Sequence, residues 1–363
     1  MARPFLADPD FVIKSKENRA DEINTCIGCN QACLDHTFEM KIASCLVNPR
    51  ACHETEINII PAPSKKKIGI VGAGPAGLAA SITAAQRGHE VHLYDTASQI
   101  GGQFNMAKLI PGKEEFYETI RYFEKQIILQ KVNLFLNTKV DVPFLIHQKF
   151  DEIILATGIA PRTPGIEGIN HPKVVSYIDV LKNNIEVGSK VAIIGAGGIG
   201  FDVAEYLSHQ GTSPSLHIKD FMKEWGVDME YSKGGALTKA DNAPSPRTIF
   251  LLQRTKGKVG ARLGKTTGWI HRAGLKKKNV TTLDGVAYQK IDDSGLHITV
   301  NNQDQVLDVD HIVICAGQDP NRSLYQPLIE AKQTVHLIGG AHVAAELDAK
   351  RAIDEATRLM ITI

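Results

Sequence analysis

Charge of one sign is what this sequence lacks most plainly. Its 363 residues hold 41 Lys and Arg against 40 Asp and Glu, a formal net charge of +1. No overall field therefore draws the chain to nucleic acid or to an acidic membrane. Long apolar runs are also scarce. The exception, Ile68 to Ala85, has no charged residue but carries Gly69, Gly72, Gly74, Gly77 and Pro75. It reads as a buried strand, a turn and a helix rather than a membrane span. Met1 to Lys14 lacks the basic start and apolar core of a secretory signal, so a soluble, cytoplasmic protein is expected. With 43% hydrophobic and 22% charged residues the chain is neither disordered nor fibrous. Its length calls for two or three domains.

Cysteine is sparse except in one place. Four of the six, Cys26, Cys29, Cys33 and Cys45, follow the spacing C-x2-C-x3-C-x11-C. A reducing compartment disfavours reading such a set as disulfides. Zinc and a cubane iron–sulfur cluster both accept four thiolates. Zinc sites usually pair their ligands as two C-x2-C knuckles, which are absent here. A close trio with a distant fourth favours a [4Fe–4S] cluster, against the plainer reading of unpaired buried thiols. Cys52 and Cys315 fall outside the spacing and read as structural.

Glycine clusters twice, each time after a short apolar strand. Ile68-Gly69-Ile70-Val71 leads into Gly72-Ala73-Gly74-Pro75-Ala76-Gly77 and an apolar helix to about Arg87. Gly72 permits the tight turn, Gly74 lets backbone approach a pyrophosphate, and Gly77 lets the helix pack on the strand. A second strand, Glu90 to Tyr94, ends at Asp95, placed to accept hydrogen bonds from a ribose diol. Strand, fingerprint, helix, strand and acid in order make a strong signal where the glycines alone would be weak. The second cluster repeats the plan: Val191 to Ile194, then Gly195-Ala196-Gly197-Gly198-Ile199-Gly200 and a helix through Leu207. Its expected acid is missing. After about forty residues rich in Gly, Pro and Ser, strand Thr248 to Leu252 ends at Gln253-Arg254, with Lys256 and Lys258 beyond. Arg254 can fork onto a 2′-phosphate that a carboxylate would repel. The second site thus looks built for NADPH and the first for FAD, unless the basic residues are merely a solvated face.

The expected architecture is α/β, with two Rossmann-like dinucleotide-binding domains, the NADPH domain inserted in the FAD domain, behind a cysteine-rich segment. The boundaries expected are 1–63 for the leading segment, 64–165 with 305–363 for the FAD domain, and 166–304 for the NADPH domain. Asp151 to Gly158 and Asp310 to Gly317 read as paired strands near the crossings. His336 to Gly340 reads as a strand running into a helix from Ala344, whose amides would complete the first site.

The chain resembles the C-terminal two-thirds of the bacterial NADPH-dependent 2,4-dienoyl-CoA reductases, of the trimethylamine dehydrogenase class. The resemblance runs the whole length. It rests on Cys26-Ile-Gly-Cys-Asn-Gln-Ala-Cys33, Cys45-Leu-Val-Asn-Pro-Arg50, Ile100-Gly-Gly-Gln-Phe104, Gly264-Lys-Thr-Thr-Gly-Trp-Ile-His-Arg272 and Ile338-Gly-Gly340. It implies that FAD takes hydride from NADPH and passes single electrons through the cluster to FMN in an N-terminal barrel, which reduces the dienoyl thioester in fatty acid β-oxidation. By resemblance Ala76, Asp95, Gln103, Lys113 and Val140 contact FAD, and Gly339, Gly340 and Ala341 close over it. Arg254 and Thr255 hold the NADPH phosphate, helped by Lys256 and Lys265. Trp269 packs by flavin or nicotinamide, or is a core residue.

The barrel is absent from this sequence. Met1 to Asp10 resembles its last phosphate-binding loop, where Arg3 would touch FMN phosphate. No catalytic residue is expected in this chain, since the family's Tyr and His lie in the missing part. Residues 1 to about 20 are expected to be disordered without their neighbours. The chain then reads as a fragment or as one half of a split reductase whose barrel is a separate subunit. Two other readings stand: an NADPH dehydrogenase for a different acceptor, as in the small subunit of glutamate synthase, and a non-catalytic nucleotide-binding remnant.

Overall fold

The structure is a computed structural model that describes residues 1–344 and 348–363. Its strands in chain order begin with β1 (Lys67–Val71), β2 (Glu90–Tyr94), β3 (Asn133–Phe135), β4 (Glu152–Leu155) and β5 (Ile159–Pro161). Next come β6 (Val174–Ser176), β7 (Lys190–Ile194), β8 (Thr248–Leu252), β9 (Thr281–Leu283) and β10 (Ala287–Asp292). The last are β11 (Gly295–Val300), β12 (Gln303–Leu307), β13 (His311–Ile314), β14 (Gln318–Pro320) and β15 (Val335–Leu337).

The chain divides into two compact units. The first holds residues 1–105, 115–160 and 318–363 and the second residues 106–114 and 161–317. Each is built on a parallel five-stranded sheet, ordered β15-β4-β1-β2-β3 in the first and β6-β13-β7-β8-β9 in the second. Central strands β1, β4 and β7 are buried almost throughout, as strands covered on both faces must be. In each sheet the order reverses beside one strand, β1 or β7, the place where such folds bind ligands at the carboxyl ends of strands. The second unit adds an antiparallel sheet, β10-β11-β12, and β5 pairs with β14.

The division differs from the expected boundaries in two places. The chain returns after Gly317 rather than at 305, because β13 pairs with β6 and β7 inside the second sheet. Residues 106–114, expected in the FAD domain, join the second unit, where Met106 and Ile110 lie in its core. The last helix is Ala349–Thr362, with Asp348 as its cap through Lys350 N–H. Ala344 is not helical, and 345–347 of the expected helix lie outside the described residues.

The expected disorder of residues 1–20 is not found. Arg3–Ala7 and Phe11–Lys16 are short helices. Asp8, only 3% exposed, accepts from Asp10 N–H, Asn24 N–H and Lys14 Nζ, and Asn48 donates to Leu6 O. Among the described residues no helix is long and apolar enough to cross a membrane.

Candidate dinucleotide and cysteine sites

In the first unit β1 ends at Gly72, whose φ of +109° suits glycine, and the helix Pro75–Gln86 follows. A Cβ on Gly72 would stand 2.3 Å from Ala156 O beyond β4, and one on Gly77 would stand 1.8 Å from Gly72 O. Neither position admits a side chain. A Cβ on Gly74 would meet nothing nearer than Gly102 Cα, at 3.9 Å, and no side chain caps the helix. Open space above uncapped helix N–H groups is the cradle that a pyrophosphate needs.

The second unit repeats this almost atom for atom. Gly195 has φ +110° and its Cβ would stand 2.6 Å from Cys315 O; a Cβ on Gly200 would stand 1.8 Å from Gly195 O. Gly197 and Gly198 open onto free space at the uncapped start of the helix Gly198–Leu207.

Asp95 follows β2, and its carboxylate accepts from Ala73 N–H at 2.6 Å and Ala97 N–H at 2.8 Å. It therefore braces the glycine turn, with further lone pairs left for a sugar hydroxyl. Gly101 N–H donates to Ala73 O, and Gly102 lies so near that its Cβ would stand 2.9 Å from Gly74 Cα. Half-buried Gln103 comes next. Val140 is buried with Tyr94 in a satellite cluster. Gly339, Gly340 and Ala341 form a single helical turn after β15, and a Cβ on Gly339 would stand 2.8 Å from Ala76 Cβ.

Lys113, expected at the FAD, has a carboxylate partner. Its Nζ donates to Asp202 Oδ1 at 2.5 Å within the second unit. Burial works against its charge, but Asp202 outweighs it and holds the ammonium above its usual range. Glu205, one turn further along the same helix, accepts from or pairs with His271 Nδ1 at 2.7 Å. Asp202 and Glu205 were not singled out from the sequence. Their signal was two carboxylates in the otherwise apolar stretch GIGFDVAEYL.

Arg254, Thr255 and Lys256 are exposed just past β8, and Lys265 is exposed too. Their loop is pinned: Gln253 donates to Thr255 O and Gly257 O, and Asp284 accepts from Gly257 N–H. Trp269 is 56% exposed and meets Trp225 edge-on at 6.4 Å, so it is not a core residue.

Cys26, Cys29, Cys33 and Cys45 line one pocket with Ile27, Leu46 and Val47. Burial pushes the Cys29 thiol up to about 12 and the Cys45 thiol up to about 11, and the neighbouring thiols add to it. Two such sulfurs become thiolates together only beside a cationic centre. Among the described residues no three His, Cys, Asp or Glu close on a point as one metal ion requires. A zinc ion holds its sulfurs about 2.3 Å from one point, whereas a cubane spreads four thiolates over four irons. Four thiols lining one pocket are a donor set that either group accepts. Arg3, expected at an FMN phosphate, stands on the rim and donates to Asn30 Oδ1 at 2.6 Å. Cys52 is exposed, contrary to a structural role, and Cys315 is buried.

Two glycine turns at the switch points of two like sheets define a twin dinucleotide-binding oxidoreductase. The chain belongs to the pyridine nucleotide-disulphide oxidoreductase family, whose model matches residues 66–347; the family works with FAD and NAD(P)H. A metal reductase of Desulforamulus reducens is 31% identical over 345 residues, 94% of this chain and 51% of that protein. An NADH oxidase of Thermoanaerobacter brockii is 34% identical over 281 residues, 76% of this chain and 41% of that protein. The solved structure of a 2-naphthoyl-CoA reductase with 2-naphthoyl-CoA matches with a TM-score of 0.86 at 29% identity, over 100% of this chain and 50% of that one. The chain thus spans about half the length of these relatives.

Proposed function

We propose that this chain is the electron-delivering half of a reductase: it carries electrons from NADPH through FAD and a [4Fe–4S] cluster to an FMN-bearing barrel that reduces a conjugated acyl-CoA, such as 2,4-dienoyl-CoA. The observation that carries the reading is the cysteine pocket. Cys26, Cys29 and Cys45 pack against the same core that holds Ala73 and Ala76 of the first glycine turn. A cysteine-held group and a flavin would therefore share one wall.

When bound, FAD accepts electrons in pairs and releases them singly, which joins a nicotinamide donor to a one-electron carrier. The chain's own part is positioning. Gly74 and Gly197 give phosphates access to helix N–H groups, Asp95 offers acceptors to a ribose, and the four thiols hold the cluster. Arg254, with Thr255, Lys256 and Lys265, would read the 2′-phosphate. Lys113, tied to Asp202, would present its ammonium beside the second turn. The naphthoyl-CoA reductase match supports a thioester substrate. The metal reductase relative favours a second reading, in which the same chain serves a different acceptor.

Anaerobic titration of the purified chain with NADPH, followed by visible absorbance, tests the proposal. Flavin and cluster bands should both bleach. A colourless chain, or a flavin that NADPH leaves oxidised, would make this a nucleotide-binding remnant.

A further inference from the structure

We propose that Glu355 and Arg322 are positioning residues for the first dinucleotide site, a two-sided clamp that sets the Gly339–His342 turn against the glycine turn. The inference rests on FAD occupying that site.

The turn starts where β15 ends, and Gly339 adopts φ +60°, a left-handed conformation that strand geometry does not supply. Something must hold it there. Glu355, on the last helix, accepts from Gly339 N–H at 2.8 Å through Oε2, while its Oε1 pairs with His342 Nδ1. Arg351, one helical turn earlier, stands 3.7 Å from the same carboxylate. On the carbonyl side, Arg322 donates from Nε to Ala341 O at 2.8 Å and from Nη2 to His342 O. A carboxylate thus takes the turn's donors and a guanidinium its acceptors, each by charge-assisted bonds.

The clamp faces the site rather than merely ending a helix. Gly339 packs on Ala76, in the first turn of the helix that follows Gly74. A Cβ on Gly340 would stand 2.9 Å from Ile159 Cγ2 and 3.1 Å from Gly158 C. That second wall is tied to the clamp as well: Asn321, beside Arg322, donates its N–H to Gly158 O and accepts from Thr157 Oγ1 at 2.6 Å. Moving the Gly339–His342 turn would therefore open the space above Gly74 from two directions. No fingerprint glycine or acid takes part in these bonds.

The test is FAD binding to the full chain, read by fluorescence quenching and by visible circular dichroism of the bound flavin. Glu355→Ala should raise the FAD dissociation constant about tenfold or more and alter the flavin dichroism. Glu355→Gln, which keeps an acceptor for Gly339 N–H, should recover part of the affinity, and Arg322→Lys should weaken it too. NADP+ affinity, measured on the same samples, should not change. Wild-type FAD affinity and dichroism in a folded Glu355→Ala would overturn the clamp. Should Glu355→Ala not fold, wild-type behaviour of both Glu355→Gln and Arg322→Lys would overturn it equally. A wild-type chain that takes up no FAD would instead overturn the reading of the site itself.

Discussion

A buried thiol without a counter-charge keeps its proton, and the Cys29 and Cys45 thiols are both pushed well above the ordinary range by burial. They cannot share a pocket as thiolates unless a cation joins them. Removing one donor should therefore release the whole group while leaving the glycine turns untouched. Cys29→Ser should abolish cluster absorbance while FAD stays bound, and an undiminished cluster spectrum would refute the ligand assignment. Arg254 works in the opposite setting, exposed on a loop held by Gln253 and Asp284. A charge-assisted contact to a 2′-phosphate there would be worth about 1–3 kcal/mol. Arg254→Ala should weaken NADPH by that much and NADH hardly at all in parallel titrations. Equal losses would mean that Arg254 does not read the phosphate. Both residues stand out because chemistry and spacing coincide in the sequence. Asp202, Glu355 and Arg322 do not: each acts on groups brought to it by folding, and a lone carboxylate or guanidinium in a helix or loop looks like a solvated one.

Elements repeat this division between local and distant causes. Strands β1, β2, β7 and β8 stand where apolar runs bounded by glycine and charge place them, and the helix Gly198–Leu207 ends as its pattern does. The last helix, expected from Ala344, runs over Ala349–Thr362, with Asp348 as its cap. The foot of the first sheet shows how pairing between distant strands adds stability. Glu152 on β4 bonds Lys66, just before β1, at 2.7 Å and His336 on β15 at 2.9 Å. Burial alone would raise its pKa, but these two hydrogen bonds prevail and hold it below its ordinary 4.5. A depressed folded pKa gives stability that is present above the unfolded value and is lost as pH falls through the folded one. Glu152→Gln should therefore cost stability near neutral pH and flatten the acid limb of the stability curve. Denaturant titrations across the acid range would show this; parallel wild-type and variant curves would refute it.

At the scale of the whole chain the order of parts was readable and the place of return was not. β4 and β13 carry the same apolar pattern, and nothing in their residues says which sheet each will join. Partnership decides it: β13 hydrogen-bonds with β6 and β7, so the second unit keeps the chain through Gly317. Lys113 likewise belongs to the unit of Asp202, 89 positions away, through an excursion of nine residues that leaves no trace in composition. The two units nonetheless share one plan, down to Gly77 and Gly200 each standing where a Cβ would fall 1.8 Å from the carbonyl of the first fingerprint glycine.

The long segment of the second unit, residues 161–317, begins and ends at one spot. The outgoing strand β5 and the returning strand β14 are hydrogen-bonded neighbours, and Arg162 N–H donates to Gly317 O just beyond them. An insertion whose entrance and exit touch is close to a cassette. Closing the gap it leaves asks for only a few linking residues, and loop closure that short carries little entropy cost. Recombination at those two bonds would exchange residues 161–317 in one event, leaving only residues 106–114 of the second unit in place. A lineage built this way could replace most of its second unit while leaving the first parallel sheet intact.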